Sequence, residues 1–393
     1  MLRLQATGAV RRAWAALPPV LCLALLLVQL TLCPLPWFAA LFMLAGLVVA
    51  AAITVGHGAT SVVLANLAAA IAGLAGFESY LAYQQSLGDG TRMEGTVETG
   101  TQPDDLLGYA PLKNTRLVAR KLYGDTVIYD VIYSIDADGL RIAPPARDTP
   151  SGCAVFFGDS VSFGEGLPDD QTFPFQFGAK TSGAFAVYNF AYSGYGPHQM
   201  LANLRAGRVK TVVHCEPTQL VYLALLEHVP RVAGLASWDR HGPRFTWHAG
   251  ELSQQGHFDD PAPGALLPAA VNKSLAKCLA WQRLFGRGRD VNADDLQLFL
   301  AVIREAAAVS RQQFPRSEFH VILWDGRDDA RLDTIAGNLK EVGITVHRLT
   351  TIVPDFAANW QRYVLSEHDF HPNPSLDAKI SDYLVRELKP RKP

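Results

Sequence analysis

At 393 residues the chain exceeds one average domain, so two or three units are expected. Its formal charge of −2 is nearly balanced, without a block of like charges. This excludes nucleic acid or another polyanion as the main partner. Apolar content is concentrated at the N-terminus, where the 65 residues from Ala13 to Phe77 hold no Asp, Glu, Lys or Arg.

Such a run is roughly 98 Å of helix at about 1.5 Å per residue, against a hydrocarbon core of about 30 Å, so three crossings fit. The expected spans are Trp14–Cys33, Trp37–Thr54 and Ser61–Tyr83, broken at Pro34, Pro36 and Gly56-His57-Gly58. Arg3, Arg11 and Arg12 precede the first span and the short loops carry no positive charge, which places the N-terminus in the cytoplasm. Three crossings then put the remainder outside; if the third segment, rich in Ala and Gly and carrying Asn66, only lies against the other two, the large domain faces the cytoplasm instead. The expectation is a multi-pass inner-membrane protein with its large domain in the periplasm. Residues 1–83 form the membrane region, and the bilayer is its partner.

Residues 84–150 read as a linker followed by a small β-rich segment. The stretch "RLVARKLYGDTVIYDVIYSID" has two β-branched and aromatic runs flanking Gly124-Asp125, a hairpin signal. From residue 151 to 393, strands and helices alternate. "CAVFFGDS", "AVYNFA", "QLVYLALL", "FHVILWD" and "ITVHRL" read as five strands, and Phe173–Ser182, His198–Val209, Asp294–Gln313 and Ala330–Val342 as helices. The expected fold class is α/β, with a mainly parallel sheet covered by helices on both faces. Residues 229–289 interrupt this rhythm and read as an insertion beside the site, a lid or a substrate-binding wall. Trp238, Trp247 and Trp281 lie in it, where they either pack or line a sugar site. Of the five cysteines, Cys153, Cys215 and Cys278 follow the membrane region. Cys153 opens a strand, and one disulfide among the three is open.

In a parallel α/β sheet the active site forms at the carboxyl ends of the strands, where Ser160 stands after the first strand. A serine hydroxyl needs a base to take its proton and a carboxylate to orient that base. His371 and Asp369, in "DFHPN" before the terminal helix, offer both. Glycine in "NFAYSGYG" lets a backbone N–H approach a developing oxyanion. Two plainer readings stand beside these: Asp159 and Ser160 as a helix N-cap, and His371 as a surface-loop histidine. A metal site from His368, Asp369 and His371 is not expected, because three ligands within four positions of one loop rarely converge on an ion.

These segments resemble the SGNH or GDSL hydrolases over residues 151–393. "GDSVSFGEG" is like the first block of that family, "NFAYSGYG" like the second and "DFHPN" like the last. The resemblance implies a three-layer α/β/α sandwich with a five-stranded parallel sheet. It implies Ser160 as nucleophile and first oxyanion donor, Gly194 as second donor, His371 as general base and Asp369 as its orienting group. It requires no metal, nucleotide or other cofactor. The β-rich lead looks like one that precedes the catalytic domain in some membrane-anchored bacterial members. Where the family carries an oxyanion Asn after the third strand, this chain has Glu227 and His228, and an imidazole N–H suits that role better than a carboxylate. The expected activity is a membrane-anchored serine esterase cleaving short O-acyl esters, with a glycan or lipid as substrate. The alternatives are an O-acyltransferase acting on an extracellular polysaccharide and a non-catalytic glycan-binding or scaffold component.

Overall fold

A computed structural model describes residues 8–55, 58–88, 90–260, 268–285 and 290–388. Arg3, Gly56 and His57, used above to place the spans, lie outside the described residues, as do 261–267 and 286–289 of the insertion.

Three helices come first: α1 (Gly8–Leu32), α2 (Trp37–Val55) and α3 (Ala59–Leu87). By length and composition α2 and α3 can cross a bilayer, with hydropathy 2.5 and 1.8, whereas the apolar stretch Leu17–Leu32 of α1 is shorter. The chain divides into two compact units, Met1–Gly88 with Asp259–Gly288, and Asp89–Phe258 with Arg289–Pro393.

In the second unit β1 (Thr91–Glu94) leads to the short antiparallel pair β2 (Thr101–Asp104) and β3 (Gly108–Pro111). The hairpin of β4 (Thr115–Tyr123) and β5 (Thr126–Ile135) follows, with β1 along its edge. Tyr123 pairs with Thr126 across Gly124-Asp125, and Gly124 has φ 55°, the sign a tight hairpin turn demands. An isolated hairpin is marginal in water. This one buries Leu117, Ala119, Tyr129 and Tyr133 against Phe163, Tyr192 and Tyr195.

The core is a five-stranded sheet in the order β12-β11-β8-β6-β7, every neighbouring pair parallel. In chain order it contains β6 (Gly152–Phe157), α4 (Ser160–Phe163), α5 (Phe173–Lys180), β7 (Phe185–Asn189), α6 (Pro197–Arg205), α7 (Arg208–Val212), β8 (Pro217–Ala224) and α8 (His228–Val232). A hairpin of β9 (Pro243–His248) and β10 (Glu251–His257) comes next. The first unit then takes α9 (Ala269–Leu275) and α10 (Leu279–Phe285). The sheet resumes with α11 (Ala293–Gln313), β11 (Glu318–Leu323), α12 (Ala330–Glu341), β12 (Thr345–Arg348), α13 (Leu349–Ile352) and α14 (Phe356–Asn359). A separate antiparallel pair, β13 (Val364–Ser366) and β14 (Asp369–Pro372), and the helix α15 (Pro374–Glu387) follow.

Period-two alternation along β6 sends Cys153, Val155 and Phe157 to one face and Ala154 and Phe156 to the other. On the first face they meet Phe299 and Ile303 of α11 and Ile335 of α12. On the second they meet Phe173 and Phe177 of α5 and Ile380 of α15. Both faces are dry, which is why these strands read as continuous apolar runs. The architecture is a three-layer α/β/α sandwich. Cys153 is joined to Cys215 in a disulfide, tying β6 to the segment that enters β8.

The insertion is not one structure. The β9-β10 hairpin stays with the sheet, whereas α9 and α10 pack on the N-terminal helices. Trp37 Nε1 donates to the Ser274 carbonyl at 2.9 Å, and Ser274 Oγ donates to the Gln29 carbonyl at 2.6 Å. The buried Glu78 carboxylate accepts the N–H groups of Leu279 and Ala280 at the start of α10.

Candidate active site

The turn after β6 is shaped by Gly158, whose φ of 151° favours glycine and which Ser162 approaches too closely for a Cβ. Asp159 follows as N-cap of α4, its Oδ1 accepting the Val161 N–H at 3.0 Å. The N-cap reading of the sequence therefore holds for Asp159. Ser160 is the first residue of α4 and lines a cavity of about 350 Å³.

His371 reaches Ser160 from β14, a strand where the sequence had suggested a loop. His371 Nε2 is 2.8 Å from Ser160 Oγ, and His371 Nδ1 is 2.6 Å from Asp369 Oδ1. In an extended strand, residues two apart share a face, so the two-residue spacing allows this contact. Asp369 Oδ1 also accepts the His371 backbone N–H at 3.0 Å, which fixes the carboxylate against its own strand. Ser160, His371 and Asp369 thus form one continuous hydrogen-bonded chain. Asn373 caps α15 just beyond, accepting the N–H groups of Ser375 and Leu376.

Electrostatics favour an ionised Asp369. Burial opposes its charge, but the hydrogen bond and charge of His371, with Lys121 behind them, hold it well below the usual carboxylate range. For His371, burial alone lowers the pKa, yet Glu165 and then Asp369 push it up to about 9. Glu165 Oε2 lies 3.9 Å from His371 Nε2 and accepts the Ser193 hydroxyl at 2.7 Å.

Gly194 follows Ser193 with φ 82°, and a Cβ there would meet Tyr109 Oη and Trp238 Nε1. Its carbonyl accepts Trp238 Nε1 at 3.2 Å. Among the described residues neither the Gly194 N–H nor the Ser160 N–H has a hydrogen-bond partner. Asn189, at the end of β7, ties this loop to α4 by donating to the Ser162 carbonyl at 2.9 Å and accepting the Ala191 N–H.

The assignment of His228 as an oxyanion donor is corrected. His228 is fully buried, with Nδ1 2.6 Å from the Tyr222 hydroxyl and Nε2 3.1 Å from Asp159 Oδ2. Arg231 Nη1 donates to the same oxygen at 2.9 Å. The cause is the charge of Asp159, 1% exposed, which needs partners inside the protein. Burial opposes that charge, but His228 and Arg231 overcome it and hold Asp159 low. Glu227 lines the same cavity as Ser160 and is paired with the exposed Arg327 at 3.1 Å.

Three further residues shape the site without having stood out in the sequence. Arg141, 2% exposed, donates to the carbonyls of Phe163, Gly164 and Leu167 and to Asp169 Oδ1, clamping the loop after α4. Lys121 of β4 lines the cavity, and Glu165 flanks the imidazole. An Arg just after the "DADG" turn was the available signal for the first. Nothing in the local pattern marked the other two. Among the described residues there is no His, Cys, Asp or Glu group that could hold a metal ion.

The sheet order, the Ser160 turn after β6, the Gly194 loop after β7 and the His371 strand before α15 now stand together. This is the three-layer architecture with a five-stranded parallel sheet that the sequence resemblance implied. Lipolytic proteins and carbohydrate esterases are among the solved structures similar to this chain. One is TesA, with 13% identity, TM-score 0.35, and 61% of this chain and 98% of that chain covered. Another is an acetyl xylan esterase from Butyrivibrio proteoclasticus, with 12% identity, TM-score 0.34 and coverage of 64% and 67%. A third is phospholipase A1 from Streptomyces albidoflavus, with 11% identity, TM-score 0.33 and coverage of 61% and 99%. No protein-family model matches the chain, and neither does any curated protein.

Proposed function

We propose that the protein is a serine ester hydrolase that works through an acyl-enzyme on Ser160. The observation that carries this reading is the 2.8 Å approach of His371 Nε2 to Ser160 Oγ, with Asp369 2.6 Å behind. Ser160 Oγ attacks the acyl carbonyl while its proton passes to His371 Nε2. The carbonyl oxygen becomes an oxyanion, held by the N–H groups of Ser160 and Gly194, each donor of this kind contributing on the order of 10²–10³ in rate. The imidazolium then protonates the leaving alkoxide, and the C–O bond of the ester breaks. A water molecule, deprotonated by His371, attacks the acyl-enzyme and releases the acid and free Ser160. Asp369 holds the ring in the tautomer whose Nε2 faces the serine.

The same intermediate passes its acyl group to a hydroxyl acceptor if one displaces the water, which is the transferase form of this chemistry. A cavity of about 350 Å³ suits a short acyl group with part of its alcohol. For location, the apolar helices α2 and α3 support a membrane anchor. The Cys153–Cys215 disulfide favours an oxidising compartment for the catalytic unit, in keeping with a periplasmic placement.

The test is p-nitrophenyl acetate turnover by the full chain in detergent, beside Ser160→Ala and His371→Ala. Each variant should lose on the order of 10³-fold or more in kcat while keeping its thermal transition. Turnover persisting in folded Ser160→Ala would remove this reading.

A further inference from the structure

The β4-β5 hairpin reads in the sequence as a lead ahead of the catalytic domain. Its Lys121 nevertheless points into the active site, with Nζ 2.9 Å from Asp369 Oδ2, on the carboxylate edge opposite His371. The Lys121 side chain is 14% exposed and that of Asp369 1%. Among the described residues Lys121 is the only lysine or arginine paired with this carboxylate. The neighbouring Tyr123 stacks on His368, one position before Asp369, with ring centroids 3.4 Å apart and planes within 10°. Two alternate residues of one strand therefore grip both ends of the His368–Asp369 step. Below them, Tyr133 accepts the Gly166 N–H at 2.8 Å and the Ser134 N–H reaches Asp169 at 3.1 Å, which anchors the hairpin to the loop after Ser160.

We infer that Lys121 is a positioning residue of the catalytic relay, so that the hairpin is a working part of the active site and not a spacer. This rests on the reading of Ser160, His371 and Asp369 given above. A buried carboxylate facing two cations keeps one oxygen for each, so Lys121 fixes the rotation of Asp369 and leaves Oδ1 for the imidazole. It also supplies a positive charge near His371. The charged groups that act on that ring are Asp369 on its own strand and Asp159 and Glu165 from the nucleophile segment; behind them Lys121 pairs with Asp369, Arg231 of α8 with Asp159, and Tyr129 of β5 lies near Asp369 and Glu165. The three carboxylates favour the imidazolium; Lys121 offsets Asp369 as Arg231 offsets Asp159. Removal of Lys121 makes His371 harder to deprotonate. The acid limb of kcat/KM then moves upward, on the order of one pH unit for a charge on the far side of the intervening carboxylate.

The experiment is the pH profile of p-nitrophenyl acetate hydrolysis by the full chain, wild type beside Lys121→Met, Lys121→Gln and Lys121→Arg, with thermal unfolding as a control. Lys121→Met and Lys121→Gln should shift the acid limb upward by about one unit and lower kcat more than they raise KM. Lys121→Arg should keep the limb in place. If Lys121→Met fails to fold, the glutamine and arginine variants carry the same comparison. A folded neutral variant with an unmoved limb, whatever its kcat, overturns the inference while leaving the triad standing. No turnover in the wild type overturns both.

Discussion

Glu165 Oε2 stands 3.9 Å from His371 Nε2, on the ring nitrogen that also faces Ser160. A carboxylate there stabilises the imidazolium through both chemical steps but delays the appearance of the free base. With His371 pushed up to about 9, kcat/KM should rise with pH and level off only above that value. Glu165→Gln removes the charge and should move the limb down by about one unit. A pH profile of ester hydrolysis checks the sign, which is opposite to that expected for neutralising Lys121. A limb near pH 6.5 in the wild type would contradict the electrostatics described here.

Arg141 makes the most concentrated set of buried hydrogen bonds near the site, to three carbonyls and Asp169. Arg141→Met leaves those carbonyls and one carboxylate without their partner. The expected cost is about 3–5 kcal/mol, as for other broken buried ion pairs. Thermal unfolding of the full chain should show the transition fall by roughly 10 °C. An unchanged transition would mean that the loop after α4 is held by its apolar contacts alone.

Asp377 of α15 is fully buried beneath α5, accepting the Phe173 N–H at 2.8 Å. Burial pushes its carboxyl up to about 8, against the pull of that N–H and of Arg141. Between about pH 4 and 8 the folded chain therefore keeps a proton that the unfolded chain has lost. Stability from this group is present at low pH and declines as pH rises, by up to about 1.4 kcal/mol per pH unit. Asp377→Asn should abolish that decline. Urea unfolding of both proteins at pH 5 and pH 8 measures the difference, and parallel pH dependence in the two would contradict it.

Much of the scaffold was legible because its signals are local. The apolar runs of β6, β8 and β11 and the Gly124-Asp125 turn carry their structure in neighbouring residues. The convergence of Ser160, His371 and Asp369 was legible because they follow recognisable short segments in order along the chain. His228 was misplaced because local sequence shows which side chain is present and not where it points. Its direction is set by the buried charge of Asp159, on another strand's turn. Lys121 and Glu165 were invisible for the same reason, since each acts on His371 across packed elements. The division of the insertion was hidden too, because the pull of Gln29, Trp37 and Glu78 on α9 and α10 comes from residues far away in the chain.

The most direct measurement is intact mass of the full chain after exposure to a fluorophosphonate, followed by peptide mapping. One adduct is expected, on the peptide holding Ser160, absent in Ser160→Ala and much slower to form in His371→Ala. A folded wild-type protein that takes up no adduct, or takes it up elsewhere, would contradict Ser160 as the nucleophile.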